Sequence, residues 1–230
     1  MTSDAKNCVV LVPHMGRIDA VCERGLRELE KRGYEVRRVS GLSLLDQARS
    51  QLATEALAGG FDEIMWIDAD VGFMAEHVDH LRSHNLPIVC GVYVKKGPRA
   101  LACHLLPETK SITFGREGGL TEICYAPTGF LLTHRQVYED VQRRLELPTC
   151  NTRFGKPIVP YFLSLIVPDG DGHWYLGEDF AFCERARRCG YQIWADTSIR
   201  LWHFGSYGYS WEDAGADTTR YATYHYRLKE

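Results

Sequence analysis

The chain has 230 residues, of which 45% are hydrophobic and 25% are charged, and its formal net charge is −3. These fractions are ordinary for a globular protein, and the length favours one or two domains. The near balance of 27 basic and 30 acidic residues argues against a protein that binds nucleic acid by bulk electrostatics. The composition therefore excludes some classes of protein but indicates no activity.

The first half of the chain alternates short apolar runs with amphipathic patterns. We predict strands at residues 7–13, 34–39, 63–67 and 87–94, and helices at residues 19–32, 43–58 and 74–82. Strand–helix alternation at this spacing implies right-handed βαβ units. The expected fold is therefore α/β, with a Rossmann-like, mostly parallel central sheet flanked by helices.

The second half is less regular. Residues 99–126 hold short strand-like pieces broken by glycines, and residues 158–167 and 191–194 are predicted strands. Helices are predicted at residues 135–145 and 178–189. Since no repeat or linker separates the halves, we expect one domain, with a nucleotide-binding half (1–98), an acceptor and catalytic half (99–205) and a tail (206–230).

The eight cysteines and the N-terminus bear on the cellular compartment. The cysteines are spread along the chain without a CxxC motif, whereas disulfide frameworks are typical of short secreted chains. The apolar run at residues 8–13 is too short for a signal core or a membrane span. We therefore expect reduced thiols, a cytoplasmic location and no transmembrane segment. The oligomeric state is open.

An acidic motif follows the third predicted strand. Asp68 and Asp70 come directly after the apolar run 64–67, with Ala69 between them. At the carboxyl end of a parallel strand, both side chains can face the crevice where α/β folds bind ligands. Two carboxylates suit Mn²⁺ or Mg²⁺, which would hold a diphosphate. The alternative is a strand-end turn with a local aspartate cap.

A second group of candidate residues lies further along the chain. Glu178 and Asp179 open a predicted helix, either as residues favoured by the helix dipole or with one of them as a general base for a hydroxyl acceptor. His203 stands between aromatic residues before a glycine. It is either a core histidine or a third metal ligand.

Taken together, these pieces resemble a GT-A-fold glycosyltransferase, in the nucleotide-diphospho-sugar transferase superfamily with a DxD motif, similar to bacterial family 2. The order and spacing of the motifs carry the resemblance, which covers nearly the whole chain. The motifs are Ala48-Arg49-Ser50, the run 65–73 (MWIDADVGF), the run 90–96 (CGVYVKK), Thr128-Gly129-Phe130, the run 177–183 (GEDFAFC) and His203-Phe204-Gly205.

The resemblance implies roles for the acidic residues and the histidine. Asp70 would be the main ligand of Mn²⁺ or Mg²⁺, and Asp68 would support it or bind the donor ribose. His203 would match a histidine that contacts the metal. Asp179 would be the base of an inverting enzyme, and Glu178 would hold an acceptor hydroxyl.

The same resemblance implies a donor-binding set. Pro13 would border the nucleobase, Arg49 would reach the base or the diphosphate, and Ala69 would line the donor site. Lys95 would contact phosphate, with Lys96 as the other candidate in that pair.

The acceptor side is less defined. Thr128 and Gly129 would form the edge of the pocket, and Trp174 would contact the acceptor. Tyr207 and Trp211 belong to a segment, residues 206–211 (SYGYSW), that resembles a mobile loop closing over the donor. The alternative for that segment is an ordinary packed terminus.

The sequence also departs from the family pattern, because Arg49 is followed by Ser50 and the second strand ends in Ser40-Gly41 without an acidic residue. The base is therefore open, with a UDP-sugar favoured and a GDP-sugar second.

The expected activity is transfer of a sugar from a nucleotide-diphosphate sugar to a hydroxyl acceptor, which is a glycan, a lipid-linked sugar, a peptide or a small molecule. We expect inversion. The alternatives are a retaining enzyme, a nucleotidyltransferase or phosphohydrolase, and a non-catalytic sugar-nucleotide or glycan-binding module.

Overall fold

The computed structural model describes residues 5–41, 44–97 and 100–214. The predicted start of the second helix at residue 43 and the end of the expected mobile tail, residues 215–230, lie outside these ranges. The helices are α1 (Ala20–Lys31), α2 (Leu45–Ala58), α3 (Ala75–Ser83), α4 (Arg135–Arg144) and α5 (Glu178–Arg188). The strands are β1 (Cys8–His14), β2 (Glu35–Ser40), β3 (Glu63–Ile67), β4 (Val71–Gly72), β5 (Ile88–Gly91), β6 (His104–Leu105), β7 (Leu120–Tyr125), β8 (Phe130–His134), β9 (Leu165–Asp169), β10 (Gly172–Leu176), β11 (Ile193–Asp196), β12 (Trp202–Phe204) and β13 (Gly208–Tyr209).

The main sheet has eight strands in the order β2-β1-β3-β8-β5-β11-β7-β6. The pairs β1–β2, β1–β3 and β5–β11 are parallel. Strand β8 runs antiparallel to β3 and β5, and β7 runs antiparallel to β11 and β6. All strands of this sheet except β7 and β8 therefore share one direction. The predicted α/β fold with a mostly parallel central sheet is confirmed, and it is compatible with a Rossmann-like arrangement.

Both faces of the sheet are buried, because successive side chains of a strand point to opposite faces. In β1, Val9 and Leu11 face one core with residues of α2, α4 and α5. Val10 and Val12 face a second core with residues of α1 and α3. This double burial explains the continuous apolar runs 8–13 in β1 and 64–67 in β3, and the parallel pairing places the carboxyl ends of both strands at one edge of the sheet.

In the second half, one predicted strand was wrong and one strand was missed. Residues 158–167 do not form one strand: Ile158 makes an isolated bridge, and β9 begins at Leu165 and pairs with β10 as a hairpin. Pro160 lies in the gap, where it cannot donate a ladder hydrogen bond. The sequence reasoning also missed β8, whose apolar residues 130–132 are entirely buried between β3 and β5.

A small three-stranded sheet, in the order β13-β12-β4, brings distant residues to the end of β3. Strand β12 pairs with β4 so that His203 lies opposite Val71, and it pairs with β13 so that His203 lies opposite Tyr209. The start of the tail, up to residue 214, is therefore folded against the chain that carries the DxD motif. No helix in the described residues has the length and apolar character needed to cross a membrane.

Candidate functional site at the carboxyl ends of strands β1 and β3

The DxD motif lies in a tight turn that leaves strand β3. The Asp68 N–H donates to the Gly129 carbonyl at 3.0 Å, and the Asp68 carbonyl accepts from the Val71 N–H at 3.0 Å. The motif faces a cavity of about 460 Å³ at the ends of β1 and β3. The cavity is lined by Pro13, His14, Met15, Arg17, Asp19, Leu45, Asp68, Ala69, Asp70, His203, Phe204 and Gly205.

Asp70 and His203 converge in this cavity. Asp70 Oδ1 lies 3.4 Å from His203 Nε2, and Asp70 Oδ2 makes an ion pair with Lys96. Burial opposes ionisation of Asp70, but hydrogen bonds from His203 and Lys96 outweigh it and lower the pKa of Asp70 to about 2. Its side chain remains 42% exposed, so an ionised carboxylate is accessible to a ligand.

The orientation of His203 bears on whether this pair can hold a metal. His203 Nδ1 lies 2.8 Å from the Val94 carbonyl, an acceptor, so Nδ1 carries the proton and donates. Since Nδ1 keeps its proton, Nε2 donates to Asp70 in the imidazolium form, whereas in the neutral form its lone pair can bind a metal ion in place of that hydrogen bond. One imidazole nitrogen and one carboxylate, with room for water and phosphate oxygens, fit Mn²⁺ and, less well, Mg²⁺.

Asp68 is turned toward Arg49. The Arg49 side chain is 2% exposed; its Nη2 donates to Asp68 Oδ1 at 2.7 Å, and its Nε lies 3.7 Å from Glu178 Oε1. The guanidinium also packs over the Trp66 ring at 5.5 Å. A buried guanidinium thus lies between the DxD motif and the acidic pair of α5. Arg49 Nε and Nη1 are buried and have no hydrogen-bond partner among the described residues.

Asp179 has an environment opposite to that of Asp70. Burial and the neighbouring charge of Glu178 raise the pKa of Asp179 to about 6, against the opposing effects of the Phe180 N–H and Arg49. The Phe180 N–H donates to Asp179 Oδ1 at 2.8 Å. Gly177, and neither acid, is the N-cap of α5. A carboxyl group whose pKa lies near neutral pH can exchange a proton with a ligand.

The Thr128-Gly129 turn packs directly on the site. The Gly129 N–H donates to the Tyr93 hydroxyl at 3.1 Å. A Cβ atom at Gly129 would lie 2.3 Å from the Tyr93 hydroxyl and 2.7 Å from Asp68 Oδ2, so only glycine fits here. The Thr128 hydroxyl is buried and lacks a partner among the described groups.

Of the other predicted residues, some line the cavity and some do not. Pro13 and Ala69 line the cavity. Lys95 is exposed, and among the described residues it is Lys96 that contacts Asp70. Trp174 packs against His104 at 4.8 Å in a cluster of aromatic rings.

Tyr207 and Trp211 contact residues other than those that line the cavity. The Tyr207 hydroxyl donates to Asp213 at 2.6 Å, and its ring lies 4.1 Å from that of Tyr209. Trp211 stacks on Phe114 at 5.1 Å. In the part of the chain that the structure describes, neither ring lines the cavity. Their role at the donor or acceptor stays a prediction.

Sequence reasoning missed three contributors to the site. Tyr93 is buried, lies 4.9 Å from the His203 ring and accepts from Gly129. Arg17 lines the cavity together with His14, on the loop after β1. The only signal for Arg17 and His14 was their position after the first strand, and Tyr93 looked like an ordinary strand residue.

The fold resembles that of solved proteins. A197 from STIV is similar over 95% of this chain and 99% of its own, with a TM-score of 0.58 and 18% identity. A glycosyltransferase involved in the glycosylation of the major capsid of PBCV-1 matches 57% of this chain and 61% of its own, with a TM-score of 0.35 and 14% identity. GalNAc-T7, solved with UDP, GalNAc and Mn²⁺, matches 85% of this chain and 43% of its own, with a TM-score of 0.48 and 12% identity.

At these identities the likeness shows the fold alone, and it rests on A197, since the other two superpose only in part. No family model matches the sequence, and no curated protein matches it.

Proposed function

We propose that this protein is a metal-dependent glycosyltransferase of the GT-A type. It transfers a sugar from a nucleotide-diphosphate sugar, a UDP-sugar first and a GDP-sugar second, to a hydroxyl acceptor. The proposal rests on one observation above all: buried Arg49 pairs with Asp68 of the DxD motif and with Glu178 of the second acidic motif. The two motifs are 110 positions apart in sequence, and their meeting at one buried guanidinium supports a shared site.

The donor side of the proposal uses the cavity at the ends of β1 and β3. Pro13 and Ala69 border a space open enough for a nucleotide. Asp70 and His203 are the residues that would hold Mn²⁺ or Mg²⁺, and Lys96 and Arg17 supply positive charge beside them. The bound ion would neutralise charge on the departing nucleoside diphosphate.

Proton transfer is assigned to Asp179. With a pKa of about 6, it is mostly ionised at neutral pH yet basic enough to accept a proton. In the proposed reaction, Asp179 takes the proton of the acceptor hydroxyl as that oxygen bonds to the anomeric carbon. The bond from this carbon to the phosphate oxygen breaks, and the electron pair leaves with the nucleoside diphosphate. Inversion follows from this single displacement.

The two acidic residues that open α5 have different roles in the proposed reaction. The Arg49 guanidinium lies 3.7 Å from Glu178 and holds its carboxylate in place, which fits a residue that binds and orients an acceptor hydroxyl. Its negative charge also contributes to the raised pKa of Asp179. The acceptor is a glycan, a lipid-linked sugar, a peptide or a small molecule, and the Thr128-Gly129 turn and Trp174 are the proposed edges of its pocket.

The test is a screen of nucleotide sugars with Mn²⁺ and Mg²⁺, first by thermal shift and then by product analysis. We expect stabilisation by one nucleoside diphosphate and its sugars only when the metal is present. Slow hydrolysis or transfer should release nucleoside diphosphate and a sugar with inverted anomeric configuration, read by NMR. Release of pyrophosphate would instead support a nucleotidyltransferase, and net retention would remove the base role from Asp179. Metal-dependent binding without turnover of any sugar nucleotide would support a non-catalytic module.

A further inference from the structure

Two histidines and an aspartate meet where helix α3 lies against the end of strand β11. Asp196 Oδ2 lies 2.9 Å from His80 Nε2 and 2.7 Å from His84 Nε2. All three ligand atoms lie within 4.8 Å of one another. Across residues 5–41, 44–97 and 100–214, this is the one group of three or more His, Cys, Asp or Glu side chains that converges in this way. None of the three lines the cavity at the ends of β1 and β3.

The local sequence explains the geometry of the histidine pair. His80 and His84 are four residues apart at the end of α3, so they lie one above the other on one helix face. Their rings are 4.8 Å apart. His77, one turn earlier, is buried, and its Nδ1 accepts from the Met74 N–H, so it caps the helix start and is separate from the pair.

Asp196 is held in place by groups other than the histidines. It is the last residue of β11, and its side chain is 1% exposed. Its Oδ1 accepts from the Ser198 N–H at 2.8 Å and from the Ser198 hydroxyl at 2.5 Å. These bonds fix the carboxylate and direct Oδ2 toward the two imidazoles. Carboxylates that bind a metal ion are usually oriented in this way, by hydrogen bonds from neighbouring groups.

We propose that His80, His84 and Asp196 bind a divalent transition-metal ion, with Zn²⁺ as the preferred occupant. Two imidazole nitrogens and one carboxylate oxygen match the ligands that Zn²⁺ takes, whereas Mg²⁺ and Ca²⁺ require mostly oxygen. Zn²⁺ bonds of about 2.0–2.2 Å place tetrahedral ligand atoms about 3.3 Å apart, so the two histidine nitrogens need to move only slightly away from Asp196 Oδ2. His80 can supply this movement because its side chain is 49% exposed.

The exposed side of the group leaves room for a fourth ligand. Since the protein offers three ligands and His80 faces solvent, water or an added anion would complete the tetrahedron. The ion would tie α3 to β11, two elements 112 positions apart at His84 and Asp196. This role is independent of the proposed sugar transfer, because none of the three residues belongs to that machinery.

The experiment is calorimetric titration of the chelator-treated full chain with Zn²⁺, paired with thermal unfolding. We expect a tight Zn²⁺ site in the wild-type protein that is still present in Asp70→Asn, together with a Zn²⁺-dependent rise in Tm. His80→Asn is the main variant, since the exposed side chain can be replaced without disturbing the core. It should weaken Zn²⁺ binding about 100-fold or more, because outer-shell partners alone are worth 10- to 100-fold. His84→Asn should do the same.

Two matched controls separate this site from others. His173→Gln removes an exposed histidine on β10, and Asp70→Asn removes the cavity carboxylate that faces His203. Neither should change the Zn²⁺ affinity of the His80 site. Substitution by Co²⁺ should give a spectrum of nitrogen and oxygen ligation. Equal Zn²⁺ affinity in wild type and both histidine variants would overturn the proposal, as would a thiolate-to-cobalt band, which would place the metal on a cysteine.

Discussion

The turn after β3 and the first turn of α5 carry the same chemical group in opposite environments. Asp70 is half exposed and faces His203 and Lys96, which bring its pKa to about 2. Asp179 is half-buried beside another acid, and its pKa rises to about 6. Carboxylates whose environments push their pKa values apart take different roles: one stays ionised and binds cations, whereas the other can exchange protons. Arg49 lies between the two regions.

The largest effect is expected from removing the proposed base. Asp179→Asn should lower the rate of sugar transfer by about 10²- to 10⁴-fold while leaving donor affinity unchanged, because general bases contribute that much to the rate. The measurement is steady-state transfer with calorimetric donor binding. Asp171→Asn, in the exposed turn between β9 and β10, is the matched control and should have wild-type turnover. Normal turnover in Asp179→Asn would leave Asp179 a structural residue of the helix start.

The next effect concerns the guanidinium between the two regions. Arg49→Met should destabilise the protein by about 3 kcal/mol, because it leaves Asp68 and Glu178 without their buried partner. Chemical denaturation measures this. Arg27→Met, which breaks an exposed pair with Glu23, is the control and should cost less than about 1 kcal/mol. If Arg49→Met lowered the free energy of unfolding as little as Arg27→Met does, Arg49 would not couple the two regions.

A smaller effect is expected at the cation-binding side of the comparison. Asp70→Asn should weaken Mn²⁺-dependent binding of the nucleoside diphosphate by about 10- to 100-fold while leaving the fold intact, since it removes one charged ligand. Calorimetry with UDP and Mn²⁺, with circular dichroism for folding, tests this. Asp62→Asn, at an exposed aspartate before β3, should bind as the wild type does. Unchanged affinity in Asp70→Asn would contradict a metal role for Asp70.

The smallest effect is on stability, and its sign follows from the raised pKa of Asp179. The folded state holds the Asp179 proton more tightly than an ordinary aspartate, whose pKa is 3.8. The contribution of this proton to the free energy of unfolding is therefore complete below pH 3.8 and is lost as the pH rises through about 6. Asp179→Asn should therefore be more stable than wild type above pH 6, by on the order of 1 kcal/mol, since one pKa unit is worth about 1.4 kcal/mol and solvent screens part of it. Urea denaturation at pH 4 and pH 8 should show the gain only at pH 8; an equal gain at both would contradict the pKa assignment.

The regular half of the fold was predictable because its signals are local. The residues of β3 match the predicted strand at both ends, and α1 begins after Asp19, whose carboxylate accepts from the Val21 N–H. Strand β8 was not predictable, because a short apolar run after a Thr-Gly turn carries no information about its partners. Its antiparallel position between β3 and β5 depends on pairing with strands that are distant in sequence.

The candidate site divides in the same way. The sequence by itself determined that two carboxylates follow a buried strand, and that two more open a helix. Only the tertiary structure decided that Asp68 faces Arg49, that Lys96 pairs with Asp70, and that the proton on His203 Nδ1 faces the Val94 carbonyl.

The reason for this division is physical. Helix starts and strand ends depend on neighbouring residues, so they can be read from the sequence. Charge pairing and desolvation depend on which distant elements pack together, so the pKa values that separate Asp70 from Asp179 exist only in the folded protein.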